Sequence, residues 1–240
     1  FGLLLSMFIF VILLFSKIAF IIKIVLFLGI YFLFLGIIFF EGGIMDFQSS
    51  ITKENLARSF ASECQEGARY QFLAKMAGNE GYQYMSMLIR TLAHNEMAHA
   101  QQFFNKIVEL GGNQTQNIEI KAGYPFRSGE LKQVLYNESE NERMSGESIY
   151  PKFASIARDE GFNDVADLFD MVSKVELTHQ RTLLELFNAL SKNSLYKCTS
   201  GKHAFKCDEC GTIILDKSAP KTCPLCKMGQ GYFRIDFSIN

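Results

Sequence analysis

The sequence predicts an all-α four-helix bundle followed by a small C-terminal metal-binding domain. Three observations support this fold class. Four long segments carry apolar residues at helical spacing, and the first pair of segments resembles the second pair at an offset of 80 residues. Two C-x2-C pairs follow the last segment, a spacing that indicates a metal site rather than disulfides.

Composition divides the 240 residues into three predicted domains: an apolar leader over 1–44, a bundle over 45–195 and a cysteine-containing domain over 196–240. The formal net charge is −1 and no basic block or stripe is visible, which argues against nucleic acid as a partner. Paired cysteines that bind metal favour a reducing compartment, and we expect the cytoplasm.

The leader has two interpretations. Its charged side chains are Lys17, Lys23 and Glu41, and as a helix its apolar run would cover about 60 Å, twice the roughly 30 Å of a bilayer core. It is either a membrane anchor or the translation of DNA upstream of a start codon at Met45. We favour the second, because adenine- and thymine-rich DNA encodes such residues and EGGIM at 41–45 resembles a translated ribosome-binding sequence.

The four helices are predicted over 52–78, 82–110, 129–160 and 162–193. Thr52 suits the first N-terminus, and the sequence GNEG at 78–81 ends that helix. Gly111-Gly112 ends the second helix, and Gly161 separates the third from the fourth. The links within each pair are short, whereas the polar link over 112–127 is long, so we expect a bundle with one crossover.

The repeat places two Glu-x-x-His motifs at equivalent positions, Glu96 with His99 and Glu176 with His179. Residues three apart lie on one helix face, so each motif offers a carboxylate and an imidazole to one point. Because the two helices are related by the repeat, we expect the motifs to face each other in the bundle.

A centre for two iron or manganese ions also needs a glutamate from each remaining helix. Glu63 lies two turns before Tyr70, and Glu142 lies about two turns before Tyr150. The alternative is that these are solvated glutamates and core histidines. We interpret both tyrosines either as core residues or as hydrogen-bond donors to the ligands. The predicted catalytic and metal-binding set is Glu63, Glu96, His99, Glu142, Glu176 and His179.

The C-terminal segment carries a second predicted metal site, formed by Cys207, Cys210, Cys223 and Cys226. Four thiolates at this spacing form a tetrahedral site for zinc or for a single iron. The simpler alternative is a structural zinc ribbon.

With both motif sets in place, residues 45–240 resemble the rubrerythrin family, which joins a ferritin-like di-iron bundle to a rubredoxin-like domain. The stretches YPKFASIARDEGF at 150–162, CDECG at 207–211 and CPLC at 223–226 carry the resemblance. It implies that the six carboxylate and histidine residues bind a non-haem di-iron centre, with Glu96 and Glu176 as bridges, and that the four cysteines bind one iron.

The resemblance further implies a peroxidase that reduces hydrogen peroxide to water in oxidative stress defence. Electrons would pass through the cysteine-bound iron from NADH, by way of a separate reductase or a rubredoxin, in a homodimer or higher oligomer. This chain departs from the family at Ser145, where the family usually carries a further glutamate. In the family, one iron exchanges that glutamate for a histidine as its redox state changes, and Glu147 is two residues away from the required position. The departure bears on this exchange and on the preference for peroxide over dioxygen.

Two other functions use the same residues. A ferroxidase would oxidise Fe(II) with oxygen or peroxide, and the relative rates with the two oxidants would distinguish it from a peroxidase. An iron-binding or storage protein with zinc in the cysteine site would be colourless and without redox turnover.

Overall fold

The computed structural model describes residues 45–112, 117–198 and 201–236, together with Lys23 and Leu26. The chain divides into two units, Phe1–Ile44 and Met45–Asn240. Apart from Lys23 and Leu26, the predicted leader lies outside the described residues, and its two interpretations stay predictions. Within the described part of the chain, no helix combines the length and the apolar character that crossing a membrane requires.

The bundle is formed by five α-helical segments: α1 Ile51–Asn79, α2 Gln83–Gly111, α3 Leu131–Met144, α4 Tyr150–Asp159 and α5 Asn163–Ser191. A π-helical turn, Ser145–Ile149, joins α3 to α4 without a break, so these three segments form the third helix of the bundle. The prediction of an all-α four-helix bundle is therefore confirmed.

The turns between α1 and α2 and between α4 and α5 are alike. Gly81 and Gly161 have φ angles of 87° and 88°, a left-handed conformation that glycine adopts without a steric penalty. The turns differ in what the preceding glutamate contacts. The carboxylate of Glu160 accepts the backbone N–H groups of Ile51 at 2.9 Å and Thr52 at 2.8 Å, so the second turn caps the start of α1.

Two apolar clusters form the core, and a buried glutamate separates them along each helix of the bundle. One cluster contains Tyr70, Ile89 and Leu183, and the other contains Phe103 and Phe169. On α1, α2, the third helix and α5, the glutamate lies between residues of the two clusters. The fold thus places a polar layer between two apolar layers.

The π-helical turn accommodates one extra residue in the third helix. Seven positions separate Glu63 from Tyr70, but eight separate Glu142 from Tyr150, and a π turn is how a helix absorbs one inserted residue. The Ser173 hydroxyl donates to the Gly146 carbonyl oxygen at 2.8 Å, which gives a partner to a group that the altered ladder displaces.

The C-terminal domain is a three-stranded antiparallel sheet of β1 His203–Cys207, β2 Ile213–Asp216 and β3 Phe233–Ile235, in the order β2-β1-β3. A small apolar core around Phe205, Phe233 and Ala219 lies beside the cysteines. The expected small C-terminal metal-binding domain is therefore present.

Candidate metal centres

Four glutamates are fully buried in the polar layer, one from each helix of the bundle: Glu63 on α1, Glu96 on α2, Glu142 on α3 and Glu176 on α5. Four carboxylates without water are costly unless positive charge compensates them. Their burial is therefore the first indication of a cation site.

His99 lies among three of these carboxylates. Its Nδ1 atom is 3.3 Å from Glu63 Oε2, 3.1 Å from Glu96 Oε2 and 3.2 Å from Glu176 Oε1. An imidazole nitrogen carries at most one proton, and one proton cannot satisfy three carboxylates. This convergence is the arrangement expected of ligands around a cation.

His179 repeats the arrangement with the other pair of helices. Its Nδ1 atom is 2.8 Å from Glu96 Oε1, 3.1 Å from Glu176 Oε2 and 3.9 Å from Glu142 Oε1. In each of the two groups, ligand atoms lie within 4.8 Å of one another. Since Glu96 and Glu176 belong to both groups, the geometry describes two adjacent cation positions with two shared carboxylates.

The residues fit a centre of two metal ions. Among the described residues, Glu96 Oε1, Glu142 Oε2 and Glu176 Oε1 are buried oxygens without a hydrogen-bond partner. The Nδ1 atoms of His179 and His99 lie 2.8 Å from Glu96 Oε1 and 3.2 Å from Glu176 Oε1. Two divalent cations balance four carboxylates, and carboxylate oxygen with imidazole nitrogen suits iron or manganese.

In the absence of metal, protons compensate the same charges. Burial raises the pKa of Glu63 to about 8, against an opposing hydrogen bond with His99. Burial also acts to raise the pKa of Glu176, but the neighbouring imidazoles of His179 and His99 lower it to about 2. Burial disfavours charge on His99, yet the nearby carboxylates of Glu176, Glu63 and Glu96 raise its pKa to about 12. Metal binding must therefore displace protons from this site.

Tyr70 and Tyr150, the two tyrosines predicted as possible hydrogen-bond donors to the ligands, each bond a glutamate of the other helix pair. The pairs are α1 with α2 and the third helix with α5. The Tyr70 hydroxyl donates to Glu142 Oε1, and the Tyr150 hydroxyl donates to Glu63 Oε1. Burial raises the pKa of both tyrosines well above the usual value, so both remain protonated donors. Each hydroxyl thus orients a carboxylate from the other hairpin.

Sequence reasoning missed four polar residues that support these positions. Asn95 Nδ2 lies 3.3 Å from His179 Nε2. Arg69 donates from Nη2 to Glu66 Oε1 and from Nε to Glu138 Oε1, each at 3.1 Å. The available signal was spacing, because Glu66 follows Glu63 by three residues and Glu138 precedes Glu142 by four.

The four predicted cysteines also lie together. Cys207 Sγ is 3.7 Å from Cys226 Sγ, and Cys210 Sγ is 3.6 Å from Cys223 Sγ. A tetrahedron with metal–sulfur bonds of about 2.3 Å requires sulfur atoms about 3.8 Å apart, so this set fits zinc or iron. In both loops, the backbone N–H of the residue after the second cysteine donates to the carbonyl of the first.

Comparison with known proteins agrees with both centres. The rubrerythrin family model matches residues 54–187 and 138–206, and the model of the rubrerythrin rubredoxin-like domain matches 205–234. Rubrerythrin-1 of Clostridium acetobutylicum is 37% identical over 185 residues, which are 77% of this chain and 93% of that protein. Rubrerythrin of Porphyromonas gingivalis is 34% identical over 187 residues, 78% of this chain and 90% of that protein.

Solved structures share the fold. Nigerythrin in a mixed-valence state has a TM-score of 0.50 at 20% identity, over 80% of this chain and 94% of that chain. Bacterioferritin of Desulfovibrio desulfuricans has a TM-score of 0.53 at 21% identity, over 60% of this chain and 81% of that chain. The family matches, the buried carboxylate–histidine groups and the cysteine site together show that this chain belongs to the rubrerythrin family, with its di-iron bundle and rubredoxin-like iron domain.

Proposed function

We propose that this chain is a peroxidase that reduces hydrogen peroxide to water in defence against oxidative stress. The observation that carries the proposal is the pair of buried ligand groups that share Glu96 and Glu176. Glu63 and His99 would complete one iron position, and Glu142 and His179 the other. The proposed ligands of the single iron are Cys207, Cys210, Cys223 and Cys226.

The reaction consumes one peroxide, two electrons and two protons and yields two waters. When bound, two ferrous ions supply two electrons and the Lewis acidity that O–O cleavage needs. The protein's own residues hold this centre in place. Tyr70 and Tyr150 orient Glu142 and Glu63 by hydrogen bonds, and the apolar clusters on both sides limit the access of water.

The cysteine domain would return electrons to the bundle. Tyr196, in the linker to this domain, stacks on Tyr82 at the start of α2 with ring centroids 6.4 Å apart. Glu96 follows Tyr82 along α2 by about 20 Å at 1.5 Å per residue. The linker to the cysteine domain therefore contacts the bundle far from this proposed ligand. Such a distance within one chain supports a relay between neighbouring subunits of a homodimer or higher oligomer.

The finer assignments come from the family resemblance and the chemistry of the cysteines. NADH would supply electrons through a separate reductase or a rubredoxin. Cysteines that bind metal instead of forming disulfides suit a reducing compartment such as the cytoplasm. We place the domain boundaries at 45–195 for the bundle and 196–240 for the rubredoxin-like domain. A ferroxidase or iron-storage role would use the same ligands, but the family relationship does not favour it.

The test is a comparison of oxidants on the iron-loaded protein. We expect about three irons per chain and a visible thiolate-to-iron band that disappears on reduction. Anaerobic stopped-flow mixing should restore the band much faster with hydrogen peroxide than with dioxygen. A faster reaction with dioxygen would favour the ferroxidase, and zinc in the cysteine site without a peroxide response would favour the binding protein. Turnover of NADH with an added reductase tests the donor separately.

A further inference from the structure

A cavity of about 410 Å³ lies in the groove between α1 and the third helix. Ser59 and Ser62 of α1 line one side, and Ser145 and Ile149 of the π-helical turn line the other. Residues 122–127 of the long connection form part of its wall. Small side chains on both helices leave this groove open, and the volume greatly exceeds the roughly 30 Å³ that one water occupies.

The cavity reaches the immediate surroundings of the metal centre. Tyr150 lines it and donates its hydroxyl hydrogen to Glu63, so one side chain separates the cavity from a proposed ligand. Ser145 follows Glu142 by one helical turn and lines the same wall. A serine leaves space at this position that a longer side chain would fill.

Glu66 provides a buried carboxylate in the wall of this cavity. It is 4% exposed, and it follows Glu63 by three residues on α1. Arg69 donates to Glu66 Oε1 and also bonds Glu138 on α3, so the carboxylate is fixed between two helices. Glu66 belongs to neither of the buried ligand groups. A carboxylate has about four lone-pair positions, so a single arginine contact leaves capacity for a small hydrogen-bond donor.

We propose that this cavity is the entry route of hydrogen peroxide to the di-iron centre, and that Glu66 is a positioning residue that accepts a hydrogen bond from the incoming peroxide. Peroxide is small and uncharged and carries two O–H donors, which matches a cavity with a fixed acceptor beside the proposed metal ligands. This inference rests on the proposed peroxidase function for its substrate, but the route itself is testable with another molecule.

Ser62→Phe tests the route, with Ala68→Phe as the matched control, since Ala68 is exposed on the same helix. The probe is nitric oxide, a small uncharged ligand of ferrous iron, and its association with the reduced protein is followed by stopped-flow absorption. We expect association and peroxide reaction to slow at least tenfold in Ser62→Phe and to stay within twofold in the control. Unchanged nitric oxide association at full iron content would overturn the route.

Nitric oxide also separates this inference from the function on which it rests. If the protein does not reduce peroxide but Ser62→Phe still slows nitric oxide, the peroxidase proposal fails and the route stands. If Ser62→Phe fails to fold or to bind iron, Met144→Trp replaces it. Met144 lines the cavity at its exposed side, with 52% of its surface accessible, and its substitution should slow both reactions in the same way.

Glu66→Leu tests the positioning role, with Glu66→Gln as the conservative variant. The loss of this hydrogen-bond acceptor predicts a roughly tenfold fall in the rate constant with peroxide. Glu66→Gln retains an oxygen acceptor and should recover most of that rate. Nitric oxide association should be unchanged in both variants. A peroxide rate within twofold in Glu66→Leu, or an equal fall with both molecules, would contradict this role.

Discussion

The two helical hairpins of the bundle contribute the same ligand types but hold them differently. The first hairpin, α1 and α2, supplies Glu63 and the Glu96–His99 motif, and the second supplies Glu142 and the Glu176–His179 motif. Their tyrosines bond crosswise, so neither hairpin completes its own site. An internal repeat can therefore conserve a reaction centre while the surrounding framework diverges.

The divergence is visible around the two histidines. The His179 side chain is 3% exposed and has Asn95 at its second ring nitrogen, whereas the His99 side chain is 13% exposed. The position equivalent to Asn95 in the repeat is Val175, whose apolar side chain cannot form a hydrogen bond. The His179 ring is thus more enclosed than the His99 ring and has the Asn95 amide beside it.

Removal of a shared carboxylate should have the largest effect. We expect Glu96→Ala or Glu176→Ala to abolish the binding of both irons in the bundle, because each glutamate belongs to both ligand groups. Glu63→Ala and Glu142→Ala each remove a ligand from only one group and should weaken one position more than the other. Iron content per chain, with helicity from circular dichroism as the control for folding, checks this. Two irons retained in Glu176→Ala would contradict the shared arrangement.

Gly146→Ala, in the second hairpin, should destabilise the protein more than Gly67→Ala, in the first. A Cβ atom at residue 146 would lie 2.7 Å from Leu177 Cγ and 2.9 Å from the Ser173 carbonyl oxygen. In the first hairpin, a Cβ at Gly67 would meet Met97 Sδ at 3.2 Å, and that flexible, half-exposed side chain can move. Overpacking costs about 1–3 kcal/mol, so Gly146→Ala should lower the free energy of unfolding by that amount in denaturant titrations. An equal or larger loss in Gly67→Ala would refute the comparison.

Asn95→Val should weaken one metal position selectively. Loss of a hydrogen bond to a ligand histidine typically costs 10–100-fold in metal affinity, and Asn95 bonds His179 alone of the two histidines. Chelator competition should release one of the two irons earlier than in the unsubstituted protein. Val175→Asn, at the equivalent position, is the reciprocal variant and should strengthen the other position. Equal release of both irons from Asn95→Val would contradict the view that Asn95 stabilises only the metal position at His179.

The sequence predicted the fold, and it predicted ligand candidates that the structure brings together. Helical spacing and the repeat can be read directly from the order of residues along the chain. For that reason, the positions of Glu96, His99, Glu176 and His179 were sufficient to identify them as candidates. The π-helical turn was accessible only as a one-residue mismatch between the repeats. Its location depends on the packing of Gly146 against α5, which no local pattern encodes. The contact of Arg69 with Glu138 was missed for the same reason, because the two residues are 69 positions apart.

The smallest predicted difference concerns the two equivalent turns. Glu160 caps α1. Partial burial acts to raise the pKa of its carboxyl, but hydrogen bonds from Thr52 and Ile51 outweigh this effect and lower the pKa. Glu80, at the first turn, is exposed. We expect Glu160→Gln to cost about 1 kcal/mol of stability near neutral pH and Glu80→Gln to cost less than half of that.

The pH dependence gives the sharper test of that cap. Because folding lowers the pKa of Glu160, its contribution is fully present above the unfolded value of about 4.5 and disappears as pH falls through the folded value. The stability difference between the unsubstituted protein and Glu160→Gln should therefore be constant from pH 7 to about 5 and shrink below 4.5. Guanidinium chloride titrations across that range measure it. A difference that grows on acidification would show that the neutral carboxyl, and not the carboxylate, caps α1, so that the two turns differ in packing rather than in charge.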